Sequence, residues 1–285
     1  MRYLWLALLL VSSAAGAIAV VDDAGRAVEL GAPASRIVAL APHIVENLYA
    51  AGAGEHIVGA VDYSDFPDAA RAIPRVGSFS AFSLEAVIAA QPDLVVIWGS
   101  GNGMGTLAKL APLRVPVYVS EPRALADIPR GLRALGALAG SAETAEIAAR
   151  QFESGIDALR RAHAGERPLR VLFQIWNQPL QTVSGDHLIS EVLALCGGEN
   201  LFADARTLAP KLNIESVLQR NPEVIVGSGA GSGRPAWLDD WLAYPTLTAV
   251  QNGALLYVDP DHILRPTPRL LLGARSLCEQ LSAVR

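Results

Sequence analysis

The chain has 285 residues, of which 51% are hydrophobic and 18% are charged, and its 28 acidic and 23 basic side chains leave a formal net charge of −5. This composition provides enough apolar surface for a sizeable core, so it excludes an intrinsically disordered chain. An acidic chain without basic clusters is also a poor partner for nucleic acid or for an anionic membrane surface.

The N-terminal residues have the pattern of a secretory signal peptide. Arg2 precedes an apolar run from Leu4 to Val11, and small residues follow as far as Ala19. A membrane anchor is the alternative, but the run is much shorter than the roughly 20 apolar residues that a spanning helix needs. We therefore predict a signal peptide over residues 1–19, cleaved after Ala17 or Ala19, and export of the mature chain.

Residues 20–125 alternate between strand and helix patterns after an extended ribbon at 20–34. This alternation is typical of a parallel sheet with helices on both faces, and it predicts an N-terminal lobe. The strands are expected at 36–40, 57–61, 93–97 and 115–119, and the helices at 43–51, 83–90 and 104–112.

The pattern is continuously helical from residue 125 to residue 164, with an N-cap expected at Ser141. A helix of about 20 residues spans about 30 Å, so we predict that residues 126–166 form a stiff bridge between two lobes. An ordinary packing helix is the alternative. Residues 167–285 then repeat the alternation as a C-terminal lobe, with strands expected at 169–175, 223–227 and 254–258 and helices at 187–195, 214–220, 236–243 and 267–283.

Two segments that lie 130 residues apart, 84–97 and 214–227, share one pattern of helix, proline and buried strand. Each begins after a capping residue and has an acid in its first turn, Glu85 in one and Glu215 in the other. The helix dipole explains each acid singly. As a pair with one member in each lobe, the two acids also fit docking onto arginines of a two-fold partner.

The chain has two cysteines, Cys196 at the end of a predicted helix and Cys278 in the last one. Because an exported chain meets oxidising conditions, we predict one disulfide within the C-terminal lobe. Two buried free thiols are the alternative.

Loops that follow predicted strands carry aromatic and amide side chains, at 62–67, 98–105, 176–179 and 259–265. In open parallel sheets ligands bind beyond the carboxyl ends of the strands, so these loops predict a cleft for a large organic ligand. Ordinary packing is the alternative for any single aromatic residue. The Gly-rich loop after Trp98 lacks the Lys-Ser/Thr pair of a phosphate loop and misses the dinucleotide fingerprint, which disfavours a nucleotide site.

The five histidines are scattered, with no pair at the spacing of zinc ligands, so we predict no metal site; His43 and His262 stay candidates for ligand contacts. Ser184, Asp186 and His187 place three catalytic residue types close together, but nothing there resembles a nucleophile elbow. We predict a turn that leads into a helix, and we keep a secreted hydrolase as the alternative from another functional class.

The order of motifs along the chain resembles the periplasmic substrate-binding proteins of cobalamin, haem and ferric-siderophore ABC importers. The resemblance extends over about residues 35–283 and is most specific for the cobalamin-binding members. The motifs are RIVALAP at 36–42, AAG at 50–52, YSDFP at 63–67, SLE at 83–85, PDLV at 92–95, CGGENLF at 196–202 and PR at 268–269.

This resemblance implies an α/β fold of class III, with two Rossmann-like lobes joined by one long rigid helix. It implies a monomeric periplasmic carrier that is not an enzyme and has no cofactor of its own. Such a carrier holds cobalamin or a related corrinoid as the transported ligand and delivers it to the transmembrane subunits of an ABC importer. Glu85 and Glu215 would dock onto those subunits, and Cys196 and Cys278 would form a disulfide. The residues expected to line the cleft are Tyr63, Phe79, Trp98, Trp176, Asp261, His262 and Arg265.

Three positions depart from the cobalamin binders, which have aromatic side chains where this chain has Ala209 and His262, and tryptophan where it has Phe79. Haem is the rival ligand, for which Tyr63 or His262 would have to be the axial ligand. A ferric siderophore is the other rival, and it would call for cationic groups in the cleft, of which Arg265 is the only clear one in the sequence.

Overall fold

The apolar runs of the sequence form buried parallel strands. The computed structural model describes residues 17–229 and 233–285, so most of the predicted signal peptide lies outside the described residues. Leu94, Val95, Val96 and Ile97 have no exposed surface, as expected of a strand with helices on both of its faces. The fold class predicted for the chain is therefore confirmed, with one four-stranded parallel sheet in each lobe.

The N-terminal lobe begins with an antiparallel ribbon of two strands, β1 and β2. Its parallel sheet has the order β4-β3-β5-β6, and Ile37 lies opposite Leu94 in one neighbour and Ile57 in the other. The strands are β1 (Ile18–Val21), β2 (Ala27–Leu30), β3 (Ile37–Ala39), β4 (Ile57–Ala60), β5 (Leu94–Trp98) and β6 (Val117–Ser120), and the helices are α1 (Pro42–Ala50), α2 (Leu84–Ala89), α3 (Gly99–Asn102) and α4 (Thr106–Leu110).

The C-terminal lobe repeats this plan. Its parallel sheet has the order β10-β7-β11-β12, so in each lobe the first strand of the sheet lies between the second and the third. The strands are β7 (Leu169–Gln174), β8 (Trp176–Asn177), β9 (Leu180–Gln181), β10 (Gly198–Asn200), β11 (Val224–Gly227) and β12 (Leu255–Tyr257), and the helices after the lobe connection are α7 (Leu188–Leu195), α8 (Ile214–Arg220), α9 (Thr248–Gln251), α10 (Pro260–Ile263) and α11 (Leu270–Ala283).

The repeated segments form equivalent helices, α2 and α8. The Ser83 hydroxyl accepts the N–H of Ala86 at one, and the Asn213 side chain accepts the N–H of Ser216 at the other. Residues 81–86 and 211–216 also alternate between exposed and partly buried positions in the same way, and a buried valine follows each run. The internal repeat read from the sequence therefore holds down to the exposure of single side chains.

The helical region between the lobes is divided in two at Gly140, whose φ of 74° ends the first helix, α5 (Asp127–Ala139), in the left-handed conformation. The second helix, α6 (Ala142–Ala162), has 21 residues. It packs against α1 of the N-terminal lobe and α11 of the C-terminal lobe. The predicted helix of about 20 residues is confirmed, since it begins next to the expected cap at Ser141, and Gly140 separates it from α5.

The largest cluster of buried apolar side chains runs through both lobes, from Ile37 and Leu48 to Phe173 and Leu277. Two smaller clusters cover the other face of each sheet. Because one apolar cluster continues across the lobe boundary, separating the lobes would expose buried apolar surface.

A disulfide joins Cys196 to Cys278, whose Cα atoms lie 4.6 Å apart, so the predicted pairing is confirmed. Both half-cystines are fully buried, and the bond ties the end of α7 to α11. Within residues 17–229 and 233–285, the structure has no helix that is both long and apolar enough to cross a membrane. The same residues contain no group of three or more His, Cys, Asp or Glu side chains that could hold a metal ion.

The short elements of the C-terminal lobe differ from expectation. Strands β8 and β9 have two residues each, which is too short for a hydrophobic pattern to show. Strand β10 has the sequence Gly-Glu-Asn and is a strand because it pairs with β7. Residues Ala236–Ala243, predicted as an α-helix, form a 3₁₀-helix.

Candidate ligand-binding site

Loops of the two lobes meet at a small cleft beyond the carboxyl ends of the strands. A cavity of about 60 Å³ lies there, between the end of β5 and the loop after β6 on one side and residues before α7 and after α10 on the other. Such a crevice is the place where open α/β sheets bind ligands. The cavity is lined by Trp98, Ser100, Glu121, Pro122, Arg123, Asp186, His187, Leu188, Leu208, Ile263, Leu264 and Pro266.

Trp98, at the end of β5, is the centre of an aromatic group. Its ring lies 5.3 Å from His43, edge to face, and 5.8 Å from Phe79 in a tilted arrangement. Phe79 is 39% exposed, so this pair of rings has an open side. The structure therefore brings together the predicted contacts Trp98 and Phe79.

The Gly-rich loop after Trp98 holds that ring in place. A Cβ at Gly101 would lie 1.9 Å from the indole, so only glycine lets the loop pass beneath it. The Asn102 side chain accepts the backbone N–H of Trp98 at 2.5 Å and donates to the backbone carbonyls of Leu40 and Phe79, at 2.9 and 2.6 Å. This loop thus has a structural role that the sequence did not indicate.

Trp98 is the predicted contact that lines the cavity, and Tyr63 has the most exposed side chain among the predicted aromatic contacts, at 76%, with a backbone φ of 62°. A left-handed conformation is unfavourable for tyrosine by about 1 kcal/mol or more. Trp176 presents a second exposed ring, at 41%, from the hairpin of β8 and β9, with its indole N–H donating to the Gln178 carbonyl. The remaining predicted contacts, Asp261, His262 and Arg265, are partly exposed on α10 and just after it.

An ionic network that the sequence did not reveal joins the two lobes at this cleft. The buried Glu46 carboxylate of α1 accepts hydrogen bonds from Arg265 at 2.7 Å, Thr267 at 3.1 Å and Arg269 at 3.3 Å. Arg265 also pairs with Asp65, at 3.3 Å, and with Asp261, at 2.8 Å. We call Glu46, Asp65, Asp261, Arg265 and Arg269 the Glu46 cluster.

Arg265 is therefore not the free cation that the sequence suggested. Burial opposes its charge, yet the hydrogen bond to Glu46 and the neighbouring carboxylates raise the pKa of Arg265 above its ordinary value. Arg269 is a second guanidinium at the same place, and it lies 4.0 Å above the ring of Phe66. A signal for Glu46 does exist in the sequence, since an acid between apolar helix positions has to find a buried partner.

His43 is buried behind Trp98. Burial, assisted by the charge of Arg265, lowers the pKa of His43 to about 3, so its imidazole is neutral at physiological pH. Its Nε2 atom has no hydrogen-bond partner among the described residues. His43 thus adds packing and no charge to the cleft.

Ser184 and His187 do not form a catalytic pair. The His187 Nδ1 atom accepts the N–H of Ile189 and caps α7, and burial lowers the pKa of His187 to about 4. The buried Ser184 hydroxyl has no hydrogen-bond partner within the described residues. The prediction of a turn leading into a helix is confirmed here.

Glu85 and Glu215, the predicted docking residues, are exposed at the first turns of α2 and α8. Neither forms a salt bridge with another described residue. Hydrogen bonds from its own backbone N–H and from Ser83 lower the pKa of Glu85, which keeps this carboxylate ionised.

The model of the periplasmic binding protein family matches residues 37–262. The chain is 37% identical over 251 residues to the vitamin B12-binding protein of Yersinia pestis (strain Pestoides F), and the aligned region covers 88% of each chain. Vitamin B12-binding proteins of Yersinia pseudotuberculosis strains are similar to the same extent.

Solved structures agree with this relation. The crystal structure of the periplasmic vitamin B12 binding protein BtuF of Vibrio cholerae superposes with a TM-score of 0.81 at 35% identity, over 88% of this chain and 98% of that one. The periplasmic heme-binding protein RhuT from Roseiflexus sp. RS-1 superposes with a TM-score of 0.76 at 24% identity, over 88% and 98%, and shows the fold alone. By sequence and by fold, the chain belongs to the periplasmic binding protein family.

Proposed function

We propose that this protein is a periplasmic receptor that captures cobalamin or a related corrinoid and delivers it to an ABC importer. The observation that carries the proposal is the presence of exposed aromatic rings on both lobes and of Trp98 in the cavity between them, in a chain 37% identical to a vitamin B12-binding protein. Exposed aromatic rings are covered favourably by a large, flat, partly apolar molecule, and a corrin ring has that shape. The function is binding and release, without catalysis.

Each lobe contributes to the proposed site. Tyr63, Phe79 and Trp98 would contact the ligand from the N-terminal lobe, and Trp176, Asp261, His262 and Arg265 from the C-terminal lobe. Support comes from the exposure of Tyr63, Phe79 and Trp176 and from the small cavity beside Trp98.

Export supplies the compartment for this role. Strand β1 begins at Ile18, inside the predicted signal segment, and pairs Ile18 with Leu30 and Ala19 with Glu29. Cleavage after Ala17 would keep this strand whole, whereas cleavage after Ala19 would remove half of it. We therefore favour Ile18 as the first residue of the mature periplasmic protein, which would act as a monomer.

Titration of the purified protein with cyanocobalamin tests the proposal directly. We expect saturable one-to-one binding with submicromolar affinity, followed by heat and by tryptophan fluorescence. Trp98→Ala should weaken binding by about 30-fold, because central aromatic contacts are typically worth about 2 kcal/mol. Ile147→Ala is the matched control, since Ile147 is an exposed apolar residue, 54% accessible, on the distant helix α6.

Haemin is the parallel ligand in this titration. Binding of haemin with a Soret shift, without any response to cyanocobalamin, would contradict a corrinoid receptor and would instead favour Tyr63 or His262 as an iron ligand. Equal affinity of wild type and Trp98→Ala for cyanocobalamin would reject the proposed position of the ligand.

Tyr63→Asn separates the stability of the fold from binding. Asparagine tolerates a left-handed backbone, so we expect the free energy of unfolding to rise by about 1 kcal/mol. The affinity for cyanocobalamin should fall by about tenfold, since one aromatic contact is lost. Denaturant unfolding and calorimetric titration measure the two effects.

Arg114→Asn provides the control for this substitution, because Arg114 is also exposed and left-handed, with a φ of 53°, at the end of a 3₁₀-helix outside the cleft. It should gain similar stability with unchanged affinity. A loss of stability in Tyr63→Asn would show that the ring contributes to packing and is not held ready for a ligand.

A further inference from the structure

The Glu46 cluster has an inner and an outer part. The Glu46 side chain is 2% exposed and contacts both arginines, whose side chains are 16% and 17% exposed. The carboxylates of Asp65 and Asp261 are on the solvent side, at 40% and 44% exposure. Both guanidiniums are therefore engaged by carboxylates of the protein, and the groups most open to a ligand are hydrogen-bond acceptors.

The cluster also carries an excess of negative charge. Three carboxylates face two guanidiniums, and the neighbouring His43 is neutral because burial lowers its pKa. Across the cleft, Glu121 and Arg123 pair with each other at 3.5 Å. Arg75, below the loop of Tyr63, donates to the carbonyls of Ser64, Ala70 and Ile73. Arg75, Arg265 and Arg269 are therefore engaged within the protein, whereas Arg123, whose side chain is 59% exposed, keeps open donors beside Glu121.

A carboxylate acceptor recognises N–H donors and repels anions. Primary amides at the edge of a macrocycle present such donors, whereas carboxylates at the same positions would meet Asp65 and Asp261 as like charges. Discrimination of this kind comes from like-charge repulsion, and it stays moderate because Asp65 and Asp261 are partly exposed and solvent screens their charge.

We propose that Glu46 is a specificity-determining residue of the cleft. By engaging Arg265 and Arg269 from the protein side, it leaves Asp65 and Asp261 to face the ligand, so that the site accepts a macrocycle whose side chains end in primary amides and rejects one whose side chains end in carboxylates. This inference rests on the proposed function and deepens it. Glu46 acts as a positioning residue, since its carboxylate is turned away from solvent.

The test compares ligands of one shape and different charge. The probes are cyanocobalamin and its monocarboxylates, in each of which one peripheral amide has been hydrolysed, titrated calorimetrically against wild type and Glu46→Gln. For at least one monocarboxylate, we expect wild type to bind about tenfold more weakly than it binds cyanocobalamin. Glu46→Gln removes the carboxylate that engages Arg269, while Arg265 keeps Asp65 and Asp261, and should reduce the ratio of the two dissociation constants to about threefold or less.

Glu191→Gln is the matched control. Glu191 of α7 also connects distant parts of the chain, since it accepts the N–H of Leu125 at 2.7 Å, but it contacts neither arginine. The ratio of its dissociation constants for the monocarboxylate and for cyanocobalamin should equal the wild-type ratio. If Glu46 were only structural, Glu46→Gln would weaken all the ligands by the same factor and leave the ratio unchanged, and that result would overturn the inference.

A second variant decides the matter if Glu46→Gln does not fold. Asp65→Asn removes one negative charge from the exposed side of the cluster without burying an unpaired group, and its ratio should fall about threefold. An unchanged ratio in Asp65→Asn, or a wild type that binds all monocarboxylates as tightly as cyanocobalamin, would reject the inference. Failure of wild type to bind cyanocobalamin at all would reject the proposed function instead.

Discussion

Changing Glu85 and Glu215 together to alanine is expected to abolish ligand uptake through the importer while the affinity for the ligand stays within about twofold of wild type. Both carboxylates are exposed at equivalent positions of α2 and α8, one in each lobe. A two-fold pair of transmembrane subunits would present two equivalent basic surfaces to them. Charge pairs of this kind commonly govern association between proteins.

The geometry of the two acids supports this expectation. Their helices are capped by Ser83 and Asn213, so the carboxylates are not needed to satisfy the helix ends. Both acids are exposed, and neither is joined to another described charged residue by a salt bridge. Removing them should therefore change the folded protein little, because exposed acids without an oppositely charged partner contribute little to stability.

Uptake of labelled cobalamin into cells that contain the importer measures this effect, and calorimetry measures affinity in parallel. Each single substitution should retain partial transport, because the other lobe can still dock. A control pair, Glu143→Ala with Glu279→Ala, removes two exposed acids of α6 and α11 and should transport like wild type. A loss of affinity equal to the loss of transport would contradict a docking role.

Replacing Cys196 and Cys278 by alanine is expected to lower the free energy of unfolding by about 4 kcal/mol. The disulfide closes a loop of 82 residues, and this long loop regains its conformational freedom in the unfolded chain once the bond is removed. Both positions are fully buried, so alanine avoids the unsatisfied hydroxyl that serine would place there. For a chain of this length, the unfolding midpoint should fall by about 8–16 °C.

Thermal unfolding with and without reductant checks this result. Reductant should lower the midpoint of wild type towards that of the double variant and should leave the variant unchanged. Intact wild-type protein should also show no free thiol after unfolding without reductant. Equal midpoints of wild type and variant would mean that packing of α7 against α11 alone holds this part of the lobe.

The fold was predictable because its main elements are local. Capping residues, helix-ending prolines and apolar runs identified α2, β5, α8 and β11, and their repetition indicated two lobes of one plan. The elements that were predicted wrongly are those whose structure depends on contacts with residues distant in sequence. Strand β10 exists only because it pairs with β7, and Ala236–Ala243 adopts 3₁₀ geometry although its sequence is helical in pattern.

The residues of the site likewise differ in whether the local sequence could identify them. Tyr63, Trp98 and Trp176 could be proposed from the sequence, because loops after parallel strands meet at one edge of a sheet. Phe79 could be proposed only from the resemblance to the cobalamin-binding proteins. Glu46 lies 219 residues from Arg265, and no local pattern relates the two.

The amino-acid sequence by itself determined the α/β class, the repeated lobe, the long helix after Ser141 and the pairing of the two cysteines, because each depends on periodicity, capping or composition along the chain. Only the tertiary structure decided that Arg265 is paired from within, that Gly101 makes room for Trp98 and that His43 is neutral. The physical reason is that charge, burial and close approach depend on what the fold brings within a few ångströms, and these partners are far apart in sequence.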